Sequence, residues 1–268
     1  KINEDGVRFQ SHLNGSYLYF TPEKAIEIQR SIGADIIMAF DECTPYPCDY
    51  KYAKNSMELT HRWLKRCYDH MDQTKGLYAH EQCLFPIVQG STYKDLRTIS
   101  AETIAEYGTI GNAIGGLSVG EPEDELYEMT EHVCSILPKD KARYLMGVGD
   151  PASLVEAVGL GVDQFDCVLQ TRLGRHGTAL TSQGRVNIKN AQFLDSDEPL
   201  DPLCSCWVCA SHSRGYLRHL AQTGEPTGSR LVSVHNLAWT ISLMNEMREA
   251  IQKGTFSDLK RRILDVWA

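Results

Sequence analysis

The feature that most constrains the fold is an alternation of helix-forming segments with short apolar runs. The helical segments carry apolar residues at helical spacing, and each apolar run has the length of a buried strand. The predicted helix and strand pairs are 21–32 with 35–40, 54–70 with 84–88, 93–106 with 112–114, 123–136 with 143–146, and 151–158 with 164–168. Because strands joined through helices pair in parallel with right-handed crossovers, the sequence predicts an α/β fold. A predicted hairpin at 6–20, with an Asn14-Gly15 turn, precedes this region.

Polar residues or glycines lie at or near the end of each predicted strand. They are Asp41, Gln89-Gly90, Gly115-Gly116, Gly147 and Asp166. In an open doubly wound sheet these residues would be spread along an edge, whereas in a (β/α)8 barrel they converge on one mouth. The sequence therefore favours a (β/α)8 TIM barrel. It also predicts a zinc-binding insertion towards the C-terminus, where Cys204, Cys206, Cys209 and His235 have the spacing of zinc ligands.

The predicted organisation has three parts. Residues 1–170 form βα units of the barrel, residues 171–235 form a basic loop and a zinc-binding subdomain, and residues 231–268 form closing helices. Within the second part, 170–190 is predicted as an irregular basic loop with a short hairpin. The closing helices are expected at about 231–252 and 257–267.

Three cysteines and one histidine have the spacing of a closed zinc site. The pattern is Cys204-x-Cys206-x-x-Cys209 followed by His235. Three thiolates and one imidazole complete the tetrahedral coordination of zinc and leave no position for a catalytic water. The sequence therefore predicts one structural Zn²⁺ per chain, with His235 preferred as the fourth ligand over His212 and His219.

The composition is that of an ordinary globular protein, with 268 residues that are 42% hydrophobic and 23% charged. No apolar run long enough to span a membrane and no signal-peptide pattern is present, so neither a membrane span nor export is expected. Nine cysteines, an odd number, fit a reducing compartment with one metal cluster, and we expect the cytoplasm. Because the chain begins on Lys1 within polar sequence, we expect a longer parent protein.

The charge distribution is compatible with a polyanionic partner or with a solvated basic face, despite a net charge of −8. Residues 171–190 contain four basic residues and no acid, and residues 202–224 add two basic residues, again without an acid. Phosphate binding is carried by such Lys and Arg side chains. The basic residues are Arg172, Arg175, Arg185, Lys189, Arg214 and Arg218.

Two carboxylates at strand ends are candidates for chemistry. Asp41 and Asp166 each lie against an apolar run, where a carboxylate is either a nucleophile or acid–base group, or a cap on the next turn. A pair of carboxylates facing one cavity suits covalent glycosyl chemistry. The glycine pairs lack dinucleotide or phosphate-loop spacing, so neither NAD nor ATP is indicated. Gln89 offers a donor and an acceptor to a purine-like edge, and Met146 a thioether to its face.

Several motifs together resemble the tRNA-guanine transglycosylase family. They run in order along essentially the whole chain and include the zinc cluster. The motifs are FDECTPYP at 40–47, QGS at 89–91, GGLSVGE at 115–121, YLMGVG at 144–149, FDCV at 165–168 and TR at 171–172. The resemblance implies a (β/α)8 barrel enzyme that exchanges guanine at the wobble position of tRNA for a 7-deazaguanine on the way to queuosine.

The resemblance also implies roles for residues around the exchanged base. Asp166 matches the nucleophile that attacks the ribose anomeric carbon and forms a covalent tRNA intermediate. Cys43 and Val119 resemble the bacterial type, which takes 7-aminomethyl-7-deazaguanine. The residues matching the base-binding groups are Asp41, Gln89, Gly115 and Gly116 at the base edge, Leu117 beside it and Met146 on the base face.

Contacts with the tRNA anticodon loop are implied for two segments, and the family generally works as a homodimer. The segments are Gly147, Val148, Gly149, Asp150, Pro151, Ala152 and Ser153, and the loop Thr171, Arg172, Leu173, Gly174 and Arg175. Gln170 replaces a proline usual in the family, from which we expect a looser loop. The family's general acid/base aspartate and roughly two or three βα units of a closed barrel are not in this sequence, so we expect the 268 residues alone to be inactive.

Three other functions are compatible with parts of the pattern. A zinc-dependent (β/α)8 hydrolase would need an open coordination position, which three cysteines and one histidine do not leave. A nonenzymatic zinc-dependent tRNA-binding subunit would have no use for Asp166. A variant that uses queuine itself would differ around Cys43 and Val119.

Overall fold

The computed structural model describes all 268 residues, which form two compact units. The first unit comprises Lys1–Met146 and Ala157–Phe165, and the second comprises Gly147–Glu156 and Asp166–Ala268. The division predicted from the sequence at residues 170, 171 and 235 stays a prediction. No helix combines the length and the apolar character that a membrane crossing requires.

The first unit begins with a small antiparallel sheet. Its strands are β1 (Ile2–Asn3), β2 (Gly6–Gln10) and β3 (Tyr17–Phe20), and β2 pairs with both neighbours. In the turn between β2 and β3, Gly15 has a positive φ of 73°, and Ser16 N–H donates to Asn14 Oδ1 at 3.1 Å. The predicted hairpin is therefore confirmed.

Parallel strands form the centre of the first unit. The strand β4 pairs with β5, and β6, β7, β8 and β9 pair in that order, so that hydrogen-bonded neighbours follow one another along the chain. The prediction of an α/β fold with parallel strands is confirmed. The strands are β4 (Ile36–Met38), β5 (Cys83–Phe85), β6 (Ile87–Val88), β7 (Gly111–Ile114), β8 (Ala142–Leu145) and β9 (Gln164–Phe165).

Proline divides the strand that was predicted at 84–88. Pro86 has no N–H to give to a neighbouring strand, so β5 ends before it and β6 begins after it. Its carbonyl still accepts a hydrogen bond from Ala113 N–H at 2.8 Å. The first residue of β7 is Gly111. A side chain there would clash with buried Phe85, because a Cβ would lie 2.1 Å from its ring.

Helices alternate with these strands and turn apolar faces inwards. Ile26, Trp63, Leu64, Leu96 and Ile104 are all buried on them. The helices are α1 (Pro22–Ile32), α2 (Tyr50–Gln73), α3 (Lys94–Ala105), α4 (Glu123–Ile136) and α5 (Pro151–Gly159), the last with residues in both units.

Capping side chains explain where the first two helices begin. Thr21 Oγ1 accepts from Lys24 N–H at 3.2 Å at the start of α1, as the sequence predicts. Asp49 Oδ1 accepts from Tyr52 N–H at 2.9 Å, so α2 begins at Tyr50 and not near residue 54.

The second unit is mostly helical around an apolar core. Ala179, Ile188, Val208, Leu217 and Val232 are buried together in it. Its elements are α6 (Leu169–His176), the hairpin strands β10 (Thr178–Thr181) and β11 (Gly184–Asn187), a 3-10 turn at Ala191–Phe193, α7 (Trp207–Ser211), α8 (Arg214–Thr223), α9 (Pro226–Lys253) and α10 (Phe256–Trp267).

The predicted irregular loop over 170–190 is wrong at its start, where α6 forms. The helix packs against α9, and a Cβ on Gly174 would lie 2.4 Å from Ser233 Oγ and 2.7 Å from Ser233 Cα. Only glycine allows this close approach of the two backbones. The short hairpin predicted in the same region is confirmed as β10 and β11.

Buried Asn236 of α9 joins α6 to the hairpin. Its Nδ2 donates to Gln170 O at 3.0 Å and to Thr178 O at 2.9 Å, and its Oδ1 accepts from Leu180 N–H at 2.8 Å. Since α6 has eight residues and no side-chain cap, these tertiary contacts stabilise it.

Candidate functional site

Five predicted site residues come together at strand ends of the first unit. Gln89 Nε2 donates to Asp41 Oδ2 at 2.7 Å. A Cβ on Gly115 would lie 2.8 Å from Gln89 Nε2, and a Cβ on Gly116 would lie 2.3 Å from Gln89 Oε1, so a side chain at either position would displace the Gln89 amide. The Gly116 N–H faces the thiol of Cys43. These residues form the strand-end cluster, which comprises Asp41, Cys43, Gln89, Gly115 and Gly116.

Burial makes the Asp41 carboxyl unusually basic. Desolvation raises the pKa of Asp41 to about 6, although the hydrogen bond from Gln89 acts in the opposite direction. The nearby charge of Glu42 adds to the rise. At neutral pH Asp41 is therefore largely an ionised acceptor, and it gains a proton near pH 6.

The side chain of Gln89 is buried, and its oxygen has no partner in the protein. The residue is 1% exposed, and its backbone N–H donates to Ser100 Oγ at 3.0 Å. Its Oε1 is buried and accepts no hydrogen bond within the protein. An unpaired buried acceptor costs about 1–3 kcal/mol, so this orientation of the Gln89 amide is not explained by stability alone.

Two residues that shape the cluster were missed by sequence reasoning. Arg97 of α3 is fully buried and donates to Gly115 O at 2.6 Å and to Gly116 O at 3.0 Å. The Glu121 carboxylate accepts the N–H groups of Ser118 and Val119, the latter at 2.9 Å. Arg97 could have been recognised by its spacing, since it shares the buried helix face of Ser100, Ala101 and Ile104.

The other predicted residues of this site are placed as follows. Leu117 is 4% exposed, whereas Val119 and Cys43 reach the surface. Met146 follows β8 and is half-buried, with its N–H donating to Ile114 O at 3.2 Å. The base-contact and specificity roles of these four residues stay predictions.

Asp166 belongs to the second unit and follows β9 directly. The predicted strand 164–168 ends at Phe165, and Asp166 is exposed, with Gly147 N–H donating to its Oδ1 at 3.0 Å. Cys167 Sγ donates to Gly147 O at 3.4 Å. A Cβ on Gly149 would lie 2.3 Å from Cys167 Cβ. The predicted nucleophile and the start of the predicted tRNA-contacting segment 147–153 are therefore held together.

Gln170 does not loosen its segment as the sequence suggested. The side chain is 4% exposed, and its Nε2 donates to Gly149 O at 2.9 Å. Its carbonyl accepts from Asn236 Nδ2. The amide thus ties the start of α6 to the segment that contains Gly149, a contact that proline could not make.

The predicted tRNA-contacting residues 171–175 lie on α6 and not in a loop. Arg172 and Arg175 are exposed and three positions apart, so their guanidinium groups share one face of the helix. In the other segment, Asp150 Oδ1 accepts from Ala152 N–H at 3.2 Å, and α5 begins at Pro151. The tRNA-contacting roles of both segments stay predictions.

Only some of the basic side chains predicted to face a polyanion are free of protein partners in the structure. Arg185 forms an ion pair with Asp150, so its charge is partly neutralised. Arg214 donates to Leu200 O at 3.1 Å and Arg218 to Asn190 O at 3.0 Å, so both hold backbone carbonyls. Lys189 is exposed, like the two arginines of α6.

The four predicted zinc ligands lie together in the second unit. The donor atoms of Cys204, Cys206, Cys209 and His235 all lie within 4.8 Å of one another, and His235 Nδ1 is 3.5 Å from Cys206 Sγ and 3.3 Å from Cys209 Sγ. A tetrahedral zinc with bonds of about 2.3 Å to sulfur and 2.0–2.1 Å to nitrogen requires S···N distances of about 3.5 Å. The prediction of one metal site, suited to zinc, is confirmed.

Neighbouring groups prepare these ligands for the metal. His235 Nε2 lies 2.8 Å from Leu180 O, which fixes the ring proton on Nε2 and leaves Nδ1 as the ligand. Cys209 N–H donates to Cys206 Sγ at 3.5 Å at the start of α7. The ring of His212, the alternative ligand, packs instead between Trp207 and Tyr216.

We expect Cys206→Ser to remove the metal and to destabilise the second unit by at least about 3 kcal/mol, because the metal joins α7 to α9. Metal analysis and thermal unfolding measure both effects. Cys83→Ser is the matched control, since Cys83 lies outside the cluster and only donates to Asp35 O at 3.4 Å. One bound zinc per chain and unchanged unfolding in Cys206→Ser would contradict the assignment.

Comparison with known proteins covers the whole chain. Residues 1–268 match the family model TGT, queuine tRNA-ribosyltransferase. A relative of that name from Symbiobacterium thermophilum is 50% identical over 269 residues, which is 100% of this chain and 66% of the relative. The relative from Caldanaerobacter subterraneus subsp. tengcongensis is 51% identical over 268 residues, with 98% and 69% covered. The Staphylococcus aureus relative is 49% identical over 265 residues, with 99% and 69% covered.

The chain therefore spans 66 to 69% of the length of these relatives. The similarity confirms the family resemblance that the strand-end motifs and the zinc cluster indicate. The chain belongs to the queuine tRNA-ribosyltransferase family, the tRNA-guanine transglycosylases.

Proposed function

We propose that the protein exchanges guanine at the wobble position of target tRNAs for 7-aminomethyl-7-deazaguanine through a covalent intermediate on Asp166. Family membership supports the reaction class. The observation that carries the proposal is the hydrogen bond of 2.7 Å between Gln89 and Asp41 beside the backbone of Gly116, because these groups complement a guanine edge.

The complementarity follows from the chemistry of the base. Guanine presents O6 as an acceptor, and N1–H and the 2-amino group as donors. The Asp41 carboxylate offers acceptors to the two donors, while the second N–H of Gln89 Nε2 and the Gly116 N–H suit O6. A 7-deazaguanine has the same edge, so one set of groups can serve both the departing and the incoming base.

In the proposed reaction, one carboxylate oxygen of Asp166 attacks C1′ of the ribose. The bond from C1′ to N9 breaks, and guanine leaves with a proton from a general acid that the resemblance places outside residues 1–268. The incoming base then attacks C1′ through N9, gives its N9 proton to the same acid/base group, and displaces the Asp166 carboxylate. Two inversions thus retain the configuration at C1′. The hydrogen bond from Gly147 N–H, 3.0 Å from Oδ1, would keep the carboxylate oriented for this attack.

The fold proposed for this chemistry is a (β/α)8 barrel. If β5 and β6 are counted as one strand interrupted at Pro86, five parallel strands follow one another in chain order. A doubly wound sheet would reverse its strand order at a switch point, whereas a barrel does not. The order observed here supports the barrel.

The proposed partner is the anticodon loop of tRNA. The proposed oligomer is a homodimer, as the resemblance implies, and the proposed compartment is the cytoplasm, from the cysteine content. Exposed Arg172, Arg175 and Lys189 are the basic groups suited to its phosphates. A base in a single-stranded loop leaves its stack at little cost. Cys43 and Val119 support the aminomethyl base over queuine, as in the bacterial type.

In the full-length protein, we expect Asp166→Asn to lower exchange of radiolabelled guanine into tRNA by at least about three orders of magnitude, because the variant has no nucleophile. It should also form no protein–tRNA adduct that survives denaturant. Asp265→Asn, at another exposed carboxylate of the second unit, is the control and should keep both. Full exchange or adduct formation in Asp166→Asn would contradict the assignment of Asp166 as the nucleophile. If the protein is a nonenzymatic subunit, the unaltered protein should show neither exchange nor an adduct.

The raised pKa of Asp41 predicts the pH dependence of base recognition. Below about pH 6 the carboxyl gains a proton and loses an acceptor, so kcat/KM for guanine should fall about tenfold per pH unit. Above that pH kcat/KM should be level. Asp41→Asn should have a low kcat/KM without this step; a step of the same size in Asp41→Asn would assign it to another group.

A further inference from the structure

Arg97 is a cation buried entirely among backbone carbonyls. It is 0% exposed, and all three of its side-chain nitrogens donate to carbonyl oxygens. The acceptors, at the ends of β6 and β7 and in the loop after β6, are Val88 O at 3.3 Å, Ser91 O at 2.6 Å, Gly115 O at 2.6 Å and Gly116 O at 3.0 Å.

No carboxylate forms a salt bridge with this guanidinium. Burial lowers the pKa of Arg97 to about 10, so the group is still a cation at neutral pH. A buried charge without an ionic partner is expensive unless hydrogen bonds compensate for its lost hydration. Neutral side chains could fill the same space without the desolvation cost of a charge. The buried guanidinium is explained if its several N–H groups have a specific role.

The hydrogen bonds of Arg97 fix the orientation of two consecutive peptide groups. In a planar trans peptide, the C=O of one residue points opposite to the N–H of the next. Because Gly115 O and Gly116 O point to Arg97, the N–H groups of Gly116 and Leu117 point away from it. The Gly116 N–H accordingly faces Cys43, on the side of the strand-end cluster.

The two peptide groups held by Arg97 have little conformational preference of their own. Gly115 and Gly116 have no side chains, and Gly116 has a positive φ of 65°. Glycine reaches many backbone conformations, so rotation of this segment could turn a carbonyl towards the cluster in place of an N–H. Such a rotation would replace a donor with an acceptor at the position proposed for O6 of the base.

We propose that Arg97 is a positioning residue that sets specificity for the oxygen at position 6 of the base. By holding the carbonyls of Gly115 and Gly116, it keeps the Gly116 N–H directed at that oxygen. This inference rests on the proposed base exchange. It differs from a purely structural role, which would affect stability without changing the choice of base.

The test uses the full-length protein with Arg97→Gln and Arg97→Lys. The readouts are KM for guanine, KM for tRNA, and the preference for guanine over 6-thioguanine, which keeps N1–H and the 2-amino group but has a weaker acceptor at position 6. These quantities do not depend on the fraction of folded protein. Arg30→Gln is the matched control, since Arg30 is also buried and donates to Met71 O and Thr74 O at the end of α2.

We expect Arg97→Gln to raise KM for guanine at least about tenfold and to reduce the preference over 6-thioguanine by a similar factor, with KM for tRNA unchanged. Arg97→Lys keeps the charge but not the forked geometry and should lie between Arg97→Gln and the unaltered protein. Arg30→Gln should lose stability and keep both base parameters.

Unchanged base parameters in Arg97→Gln would overturn the inference, as would the same shift in Arg30→Gln. If Arg97→Gln does not fold, unchanged base parameters in Arg97→Lys overturn it. Failure of the inference is distinct from failure of the proposed function. In the first case the unaltered protein exchanges guanine and Arg97 variants choose bases as it does; in the second, the unaltered protein exchanges no guanine.

Discussion

Parallel pairing of strands in chain order is the constraint on which the candidate site depends. The pairs from β6 to β9 give each strand the same direction, so the residues that follow them emerge at one edge of the sheet. Gln89 and the Gly115-Gly116 pair are brought together in this way, and Asp41 reaches Gln89 from the end of the β4 segment. A change in strand register would therefore move these groups apart even if no residue of the site were substituted.

Burial of the charged groups at these strand ends is electrostatically unfavourable, and the stability of the rest of the unit offsets this cost. Asp41 is desolvated enough to raise its pKa to about 6, and Arg97 is a fully buried cation. Neither arrangement is the most stable solution for a structural core. Both are understandable if the cluster must present fixed donors and acceptors to a flat base, since preorganised dipoles discriminate better than mobile ones.

Much of this structure could be read from periodicity and local signals. The bounds of α4 agree with the predicted 123–136. Proline interrupts strands, and the predicted strand 84–88 is divided at Pro86. The zinc ligands were recognisable because three of them lie within six residues. What periodicity could not show was α6, which has no capping side chain and depends on contacts of Gly174 and Asn236 with distant residues. The helical spacing of Arg97 could show that it is buried but could not show its partners, and Gln170 was misread. The partners of both side chains are backbone atoms brought close only by the fold.

The most direct test of the account measures guanine release and covalent adduct in one experiment. The full-length protein is mixed with guanine-containing tRNA without free base, quenched with denaturant, and both products are counted. We expect one guanine to be released for each adduct, with the RNA attached within residues 165–168. Guanine released without an adduct, or attachment at another peptide, would contradict a covalent exchange on Asp166.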